Sequence, residues 1–240
     1  MIFKQKYNMG LEDVGMDGKA TNRTILAMME DVAGLHSSTV GAGLMDIEKS
    51  GMAWVLLNWH VKVLKRPLYK ETVECHTWAR GADRLYALRD FELYNEAGEL
   101  LAIGTSRWIV MNLEKRRPIR IDGEAIQAYH PELEKHVFEE DIRDITAVAN
   151  TDYTMEYVVQ RRDMDINGHV HNLSYLDGAY EVIPMESYRT KEYNEIQISY
   201  KKEIREGDQV QASYKSITED CCQVVFSSDE KVNAVVQLDV

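Results

Sequence analysis

Arg162-Asp163-Met164-Asp165-Ile166-Asn167-Gly168-His169-Val170-His171-Asn172 leads directly into a run in which Leu173, Leu176, Ala179, Tyr180 and Ile183 fall on one helical face. The same arrangement occurs earlier in the chain. A shift of 150 residues sets Asp13 on Asp163, Gly18 on Gly168, Asn22 on Asn172, Leu26 on Leu176 and Val32 on Val182, with Asp17 opposite Asn167. The earlier run reads as a helix over 22–35. Ile25, Met28, Met29 and Val32 recur at helical spacing, and Thr21 or Asn22 can cap its start. Past the helix the offset falls to 137, where Val73 meets Val210, and the segment 41–51 accounts for most of the difference. An internal match that keeps the element order points to duplication.

The segments C-terminal to each helix support duplication. In the first half, strand-like runs rich in Val, Leu, Trp, Tyr and Thr cover about 54–64, 71–79, 85–94 and 99–111. Asn95-Glu96-Ala97-Gly98 reads as a hairpin turn between the last two. The first half is therefore expected to be one helix followed by four strands, antiparallel because the connections are short. In the second half a strand near 153–160 precedes the helix near 172–183, and strands come after it near 195–203, 208–216, 221–227 and 232–238. The unit is a helix wrapped by an antiparallel sheet, the hot-dog arrangement, in an α+β chain. Two such units side by side would form one continuous sheet. The expected boundaries are 1–125 for the first hot-dog, 126–150 for a linker and 151–240 for the second. The linker signals begin with Lys115-Arg116-Arg117 and continue through Asp122-Gly123, His130-Pro131 and an acidic stretch.

Bulk properties narrow the function. The 240 residues are 45% hydrophobic and 28% charged, a globular balance that argues against disorder. No apolar run is long enough for a membrane span, and the N-terminus does not read as a signal peptide. Three cysteines, Cys75, Cys221 and Cys222, are a poor disulfide framework and suggest a reducing, cytoplasmic setting. No metal-ligand spacing stands out, so no metal or cofactor is expected. The net charge of −12 disfavours nucleic acid. It is uneven: residues 55–120 carry 12 Lys/Arg against 8 Asp/Glu, whereas 121–240 carry 11 against 25. The basic stretch offers a surface to an acidic partner.

The turn before the second helix concentrates the chemistry. Asp165, Asn167 and His169 lie within five residues, with Gly168 allowing a tight turn. The amides at a helix N-terminus can stabilise an oxyanion, and an imidazole can move a proton near neutral pH. A capping turn explains the Asp and Asn residues equally well. It does not explain His169, which faces Lys19 in the first copy. One functional site, in the second half, is the reading that uses this asymmetry.

Asp165-Ile166-Asn167-Gly168-His169-Val170-His171-Asn172 closely resembles the acyl-ACP thioesterase motif D-x-N-x-H-V-N-N, departing at His171. Tyr175 and Tyr180-Glu181-Val182-Ile183-Pro184 look like the same family's helix. Arg89-Asp90-Phe91, Trp108-Ile109-Val110-Met111-Asn112 and Arg116-Arg117-Pro118 resemble its landmarks in the first half. The resemblance implies hydrolysis of fatty acyl-ACP thioesters, ending fatty acid synthesis. It implies a catalytic network of Asp165, Asn167 and His169 with Glu203 on the next strand. Where some members carry Cys after that Glu, this chain has Ile204, so a covalent cysteine route there is closed. On this reading Glu203 or His169 activates water, Asn167 and helix amides hold the thioester oxygen, and Asp165 orients the network. Ile25, Met28, Met29 and Val32 are candidates to line an acyl tunnel, and Trp54, Trp59, Trp78 and Trp108 to form core or pocket walls. Lys62, Lys65, Arg66, Arg116, Arg117 and Arg120 are candidates to steer acyl carrier protein. An acyl-CoA thioesterase and a non-catalytic acyl-binding module remain alternatives, and pairing into a homodimer stays open.

Overall fold

The computed structural model describes residues 1–121 and 123–240 and divides them into two compact units, Met1–Ile142 and Arg143–Val240. Asp122, part of the turn signal read before the linker, lies outside the described residues. No helix among them is long and apolar enough to cross a membrane.

The first unit runs β1 (Phe3–Asn8), α1 (Asn22–Thr39), α2 (Ile47–Ser50), β2 (Met52–Val63), β3 (Thr72–Asp83), β4 (Tyr86–Asn95), β5 (Leu100–Asn112), β6 (Arg117–Ile119) and α3 (Gly123–Gln127). Its strands pair antiparallel in the order β1-β3-β4-β5-β2, with β6 beside β5. The second unit runs β7 (Tyr153–Tyr157), α4 (Asn172–Val182), α5 (Met185–Thr190), β8 (Glu195–Tyr200), β9 (Val210–Ser216), β10 (Cys221–Ser228) and β11 (Lys231–Asp239). Its order is β7-β9-β10-β11-β8, the same topology again. Even the register repeats: Tyr7 faces Val73 across β1 and β3, and Tyr157 faces Val210 across β7 and β9. Each unit is the expected hot-dog.

Two strands were not foreseen, β1 and the three-residue β6. β1 has the exposed residues Lys4 and Lys6 alternating with half-buried ones, the pattern of a strand at a sheet edge, and carries no strong β-former run. Its counterpart near 153–160 was readable, so the 150-residue offset itself was the missing signal.

In unit 1, α1 packs across the sheet. Thr21 caps it, its Oγ1 accepting from the Thr24 amide at 3.1 Å. Ile25, Leu26, Met29 and Val32 are fully buried. Gly104 on β5 lets the helix approach, for a Cβ there would stand 2.8 Å from the Met29 sulfur. Trp59, Trp78 and Phe91 fill the core. Burying side chains of this size stabilises the unit by roughly 1.5–3 kcal/mol each.

The expected linker over 126–150 is divided by packing. Ile126 and Tyr129 join a buried cluster with Ala79, Ala87 and Ile121. Residues 132–141 then form an irregular strap over the sheet face opposite α1. The Glu132 amide donates to Ala79 O, Trp78 Nε1 to Lys135 O, and the Val137 amide to Asp90 Oδ2. Arg80 Nη2 donates to Asp141 Oδ1 at 2.7 Å and to His136 Nδ1 at 2.6 Å. The compact unit therefore extends to Ile142.

Candidate active site

The backbone hydrogen bonds of the two helix-leading turns repeat one for one. Met164 bridges Val170 as Val14 bridges Ala20. The Asp165 amide donates to His169 O at 2.8 Å, and the Gly15 amide to Lys19 O at 2.9 Å. The His171 amide reaches Asp163 O as the Thr21 amide reaches Asp13 O. Gly168 and Gly18 sit at φ 74° and 75°, a conformation that glycine adopts without strain. The scaffold is thus a structural turn present twice, and it is the second copy that carries His169.

In that copy Asp165 organises its neighbours. Its Oδ1 accepts from the amides of Asn167 (2.8 Å) and His169 (3.0 Å), and its Oδ2 from Asn167 Nδ2 (3.1 Å). His169 and Arg205 form a backbone bridge, and the Val170 amide donates to Ile204 O. This stitching brings Glu203 alongside, with His169 Nε2 3.2 Å from Glu203 Oε2. The four expected residues thus form two pairs, Asp165 with Asn167 and His169 with Glu203, joined through the His169 backbone.

Arg205 was missed by sequence reasoning. Its guanidinium grips Glu203 Oε1 through Nη2 and through Nε at 3.1 Å. The signal was available: in an extended segment residues two apart share a face, and these two carry opposite charges. Beneath the pair lies the buried Tyr175, whose hydroxyl meets the Ile204 backbone. Burial, with Glu203 and Asp165 nearby, pushes its phenol above the ordinary range, so it stays protonated.

The helix amides do not form the expected oxyanion cradle. His171 is the N-cap of α4: its Nδ1 accepts from the Leu173 amide at 3.2 Å, while the Ser174 amide donates to His171 O. The amides of 167–171 are likewise engaged within the turn and with Ile204. The departure from the family motif at His171 is thus a cap supplied by a ring nitrogen. A donor for the thioester oxygen must come from side chains, and Asn167 Nδ2 has a second N–H beyond the one given to Asp165. The thiols offer no nucleophile: burial raises Cys222 to about 11 and Cys221 to about 12.

Unit 1 holds a cavity of about 240 Å³ beside the C-terminal half of α1, walled by Leu44, Ile47, Trp54 and Trp108. Ile25, Met28, Met29 and Val32, expected to line a tunnel, instead face the sheet as core. The cavity meets α1 at Glu30, Ala33, Gly34 and Ser37. Trp54 and Trp108 are pocket walls, and Trp59 and Trp78 are core. Among the candidate steering residues, Arg66 is a structural latch, its Nη1 donating to Ala20 O and Asn22 Oδ1. Lys65 pairs with Glu99 at 2.7 Å. Arg116, Arg117 and Arg120 are exposed.

Comparison with known proteins gives a consistent result. Residues 1–129 match the acyl-ACP thioesterase N-terminal domain and 146–237 the acyl-ACP thioesterase C-terminal domain. An oleoyl-acyl carrier protein thioesterase of Arabidopsis thaliana is 29% identical over 232 residues, covering 90% of this chain and 63% of the relative. One from Coriandrum sativum is 26% identical over 226 residues, covering 88% of this chain and 61% of the relative. The chain thus spans a little under two thirds of the length of these curated relatives. A solved acyl-ACP thioesterase from Bacteroides thetaiotaomicron superimposes with a TM-score of 0.88 at 23% identity, covering 99% of this chain and 97% of the other. The 12:0-ACP thioesterase from Umbellularia californica gives 0.87 at 20%, covering 99% and 96%. At these identities the structures establish the shared fold.

Proposed function

The chain belongs to the acyl-ACP thioesterase family, and from that premise we propose that it hydrolyses fatty acyl-ACP thioesters to free fatty acid and acyl carrier protein. The carrying observation is the duplicated turn, of which one copy has gained a His169–Glu203 pair at 3.2 Å over an Asp165–Asn167 anchor. The turn itself does not need the imidazole: the first copy has Lys19 in the place of His169 and Gly15 in that of Asp165, and Asp17 there accepts from the Lys19 amide at 3.0 Å.

Glu203 is the general base. Its oxygens are each held by one partner, His169 or Arg205, which leaves carboxylate lone pairs for a water. His169 fixes Oε2, and Asn167 donates its remaining N–H to the thioester oxygen as negative charge develops there. The thiolate leaves without strong acid assistance, since its conjugate acid has a pKa of about 8.5. The acyl chain is assigned to the cavity of unit 1, along its Leu44, Ile47, Trp54 and Trp108 walls. The exposed Arg116, Arg117 and Arg120 steer the acidic carrier. Three free cysteines, two of them buried, suit a reducing compartment such as the cytoplasm.

The test is thiol release from C8–C18 acyl-ACP and acyl-CoA by wild type, His169→Ala and Glu203→Ala. Glu203→Ala is expected to lose at least about 100-fold, within the range of general-base contributions. Near-normal turnover by Glu203→Ala removes the base assignment. Equal use of CoA and carrier substrates favours the acyl-CoA alternative, and a folded protein without hydrolysis favours the acyl-binding module.

A further inference from the structure

The loop that carries Glu203 is duplicated as closely as the turn beside it. The Val170 amide donates to Ile204 O at 2.9 Å, and the Ala20 amide to Pro67 O at 2.7 Å. His169 bridges Arg205 as Lys19 bridges Leu68. The Arg205 amide donates to Asp208 Oδ2 at 3.0 Å, and the Leu68 amide to Glu71 Oε2 at 2.8 Å. The Asp208 amide returns to Arg205 O as the Glu71 amide returns to Leu68 O. On this repeated backbone three side chains change together: His169 stands for Lys19, Glu203 for Arg66 and Arg205 for Leu68. The loop itself does not need a cation at the last position, since the first copy folds it with the half-exposed Leu68.

The guanidinium of Arg205 is directed at Glu203, with Nε and Nη2 both donating to Oε1. The two side chains are 50% and 44% exposed, and an ion pair so open to water adds little to folding stability. Lys202, the other cation beside Glu203 in sequence, faces Asp229 at 3.8 Å. A carboxylate offers about four lone-pair sites, divided between its oxygens. Arg205 fills those of Oε1. His169 Nε2, 3.2 Å from Oε2, takes one more. The site left over is on Oε2, the oxygen that touches the imidazole.

We propose that Arg205 is a positioning residue, which turns the Glu203 carboxylate so that Oε2, beside His169, receives the proton of the attacking water. The inference rests on the thioesterase reading for the reaction. As Oε2 takes the proton, the water oxygen bonds to the carbonyl carbon; the C–S bond then breaks and its electron pair leaves with the thiolate. Without Arg205, an exposed side chain with three rotatable bonds is held by His169 alone.

The test is steady-state hydrolysis of acyl-ACP by wild type and Arg205→Leu, with a crystal structure of each. The substitution installs the side chain that the first copy carries on the same backbone. The expected result is a fall in kcat of about 10- to 100-fold with KM and Tm unchanged, since a misplacement of about 1 Å costs on the order of 100-fold. Glu203 is expected to swing away from His169, and Arg205→Lys to recover part of the rate. A kcat within about twofold of wild type overturns the proposal, as does a change confined to KM, which would make Arg205 a substrate contact. So does a loss of kcat with Glu203 still against His169. Should Arg205→Leu lower Tm, Arg205→Gln carries the same comparison. Should wild type cleave no thioester, the hydrolase reading fails, and the two crystal structures decide the positioning role alone: a displaced Glu203 sustains it and an unmoved Glu203 overturns it.

Discussion

Gly34 sits inside α1 on the face that meets the cavity, and a Cβ built on it finds nothing within 4 Å. Two substitutions there separate stability from substrate fit. Gly34→Ala gives the helix interior a better helix former and stiffens the unfolded chain, a gain of about 1 kcal/mol. For a chain of this size that raises Tm by roughly 2–4 °C. Gly34→Leu keeps part of that gain but fills cavity space. If it displaces about three methylenes of bound chain, each worth about 0.8 kcal/mol, long substrates lose about 2.4 kcal/mol. That is roughly 50-fold in kcat/KM, while substrates too short to reach the position are spared. Differential scanning calorimetry and a C8–C16 acyl-ACP series read the two effects separately. A Tm drop in Gly34→Ala would refute the open helix face. An unchanged chain-length profile in Gly34→Leu would refute the cavity as the acyl site.

Gly178 is the opposite case: its Cβ would stand 2.7 Å from the Tyr157 ring and 3.2 Å from Phe226, so Gly178→Ala is expected to destabilise unit 2 by about 1–3 kcal/mol in urea titration. A neutral result would show that the rings yield. Arg80→Ala strips the fully buried Asp90 of its nearby cation, 3.8 Å away, and the strap of its anchor at Asp141. A loss of about 3–5 kcal/mol is expected, with Arg80→Ala/Asp90→Asn recovering part of it; equal losses in the single and double variants would discount the pairing. His36 is fully buried, and burial, reinforced by Arg89, lowers it to about 4 from 6.5. The folded state therefore binds the proton less readily than the unfolded chain. The contribution is complete above pH 6.5 and lost as pH falls toward 4, on the order of 3 kcal/mol. Urea midpoints at pH 7, 5.5 and 4.5 should show this slope in wild type and a shallower one in His36→Gln.

Much of the fold was legible because the chain states it twice. Hydrophobic spacing placed α1 and α4 within a few residues, and the strand runs were found because they combine β-formers with turn punctuation. β1 escaped because Lys4, Gln5 and Lys6 give an edge strand a polar face. The unit boundary escaped because charge and proline punctuate the strap as they would a linker. What distinguishes the two is where Trp78, Arg80 and Asp90 send their hydrogen bonds, and that depends on residues more than 40 positions away. At the site, His169 stood out against Lys19, and Arg205 was legible as the opposite charge two positions from Glu203, yet the His171 cap required coordinates. The reversed role of α1 was also invisible: periodicity marks one apolar face, but Ala33, Gly34 and Ser37 border empty space through smallness, which carries no periodic signal.

The strap over 132–141 also dictates an order of events during synthesis. All the strands of the first sheet leave the ribosome before the residues that cover Trp78 and donate a hydrogen bond to Asp90. At about 5–20 residues per second, the stretch from 125 to 141 takes roughly 1–3 s to translate. Throughout that interval a nearly finished half presents an uncovered face to water or to a chaperone. A gene fragment cut at codon 125 would freeze the nascent chain in that state, whereas one cut after codon 142 would encode a half able to close.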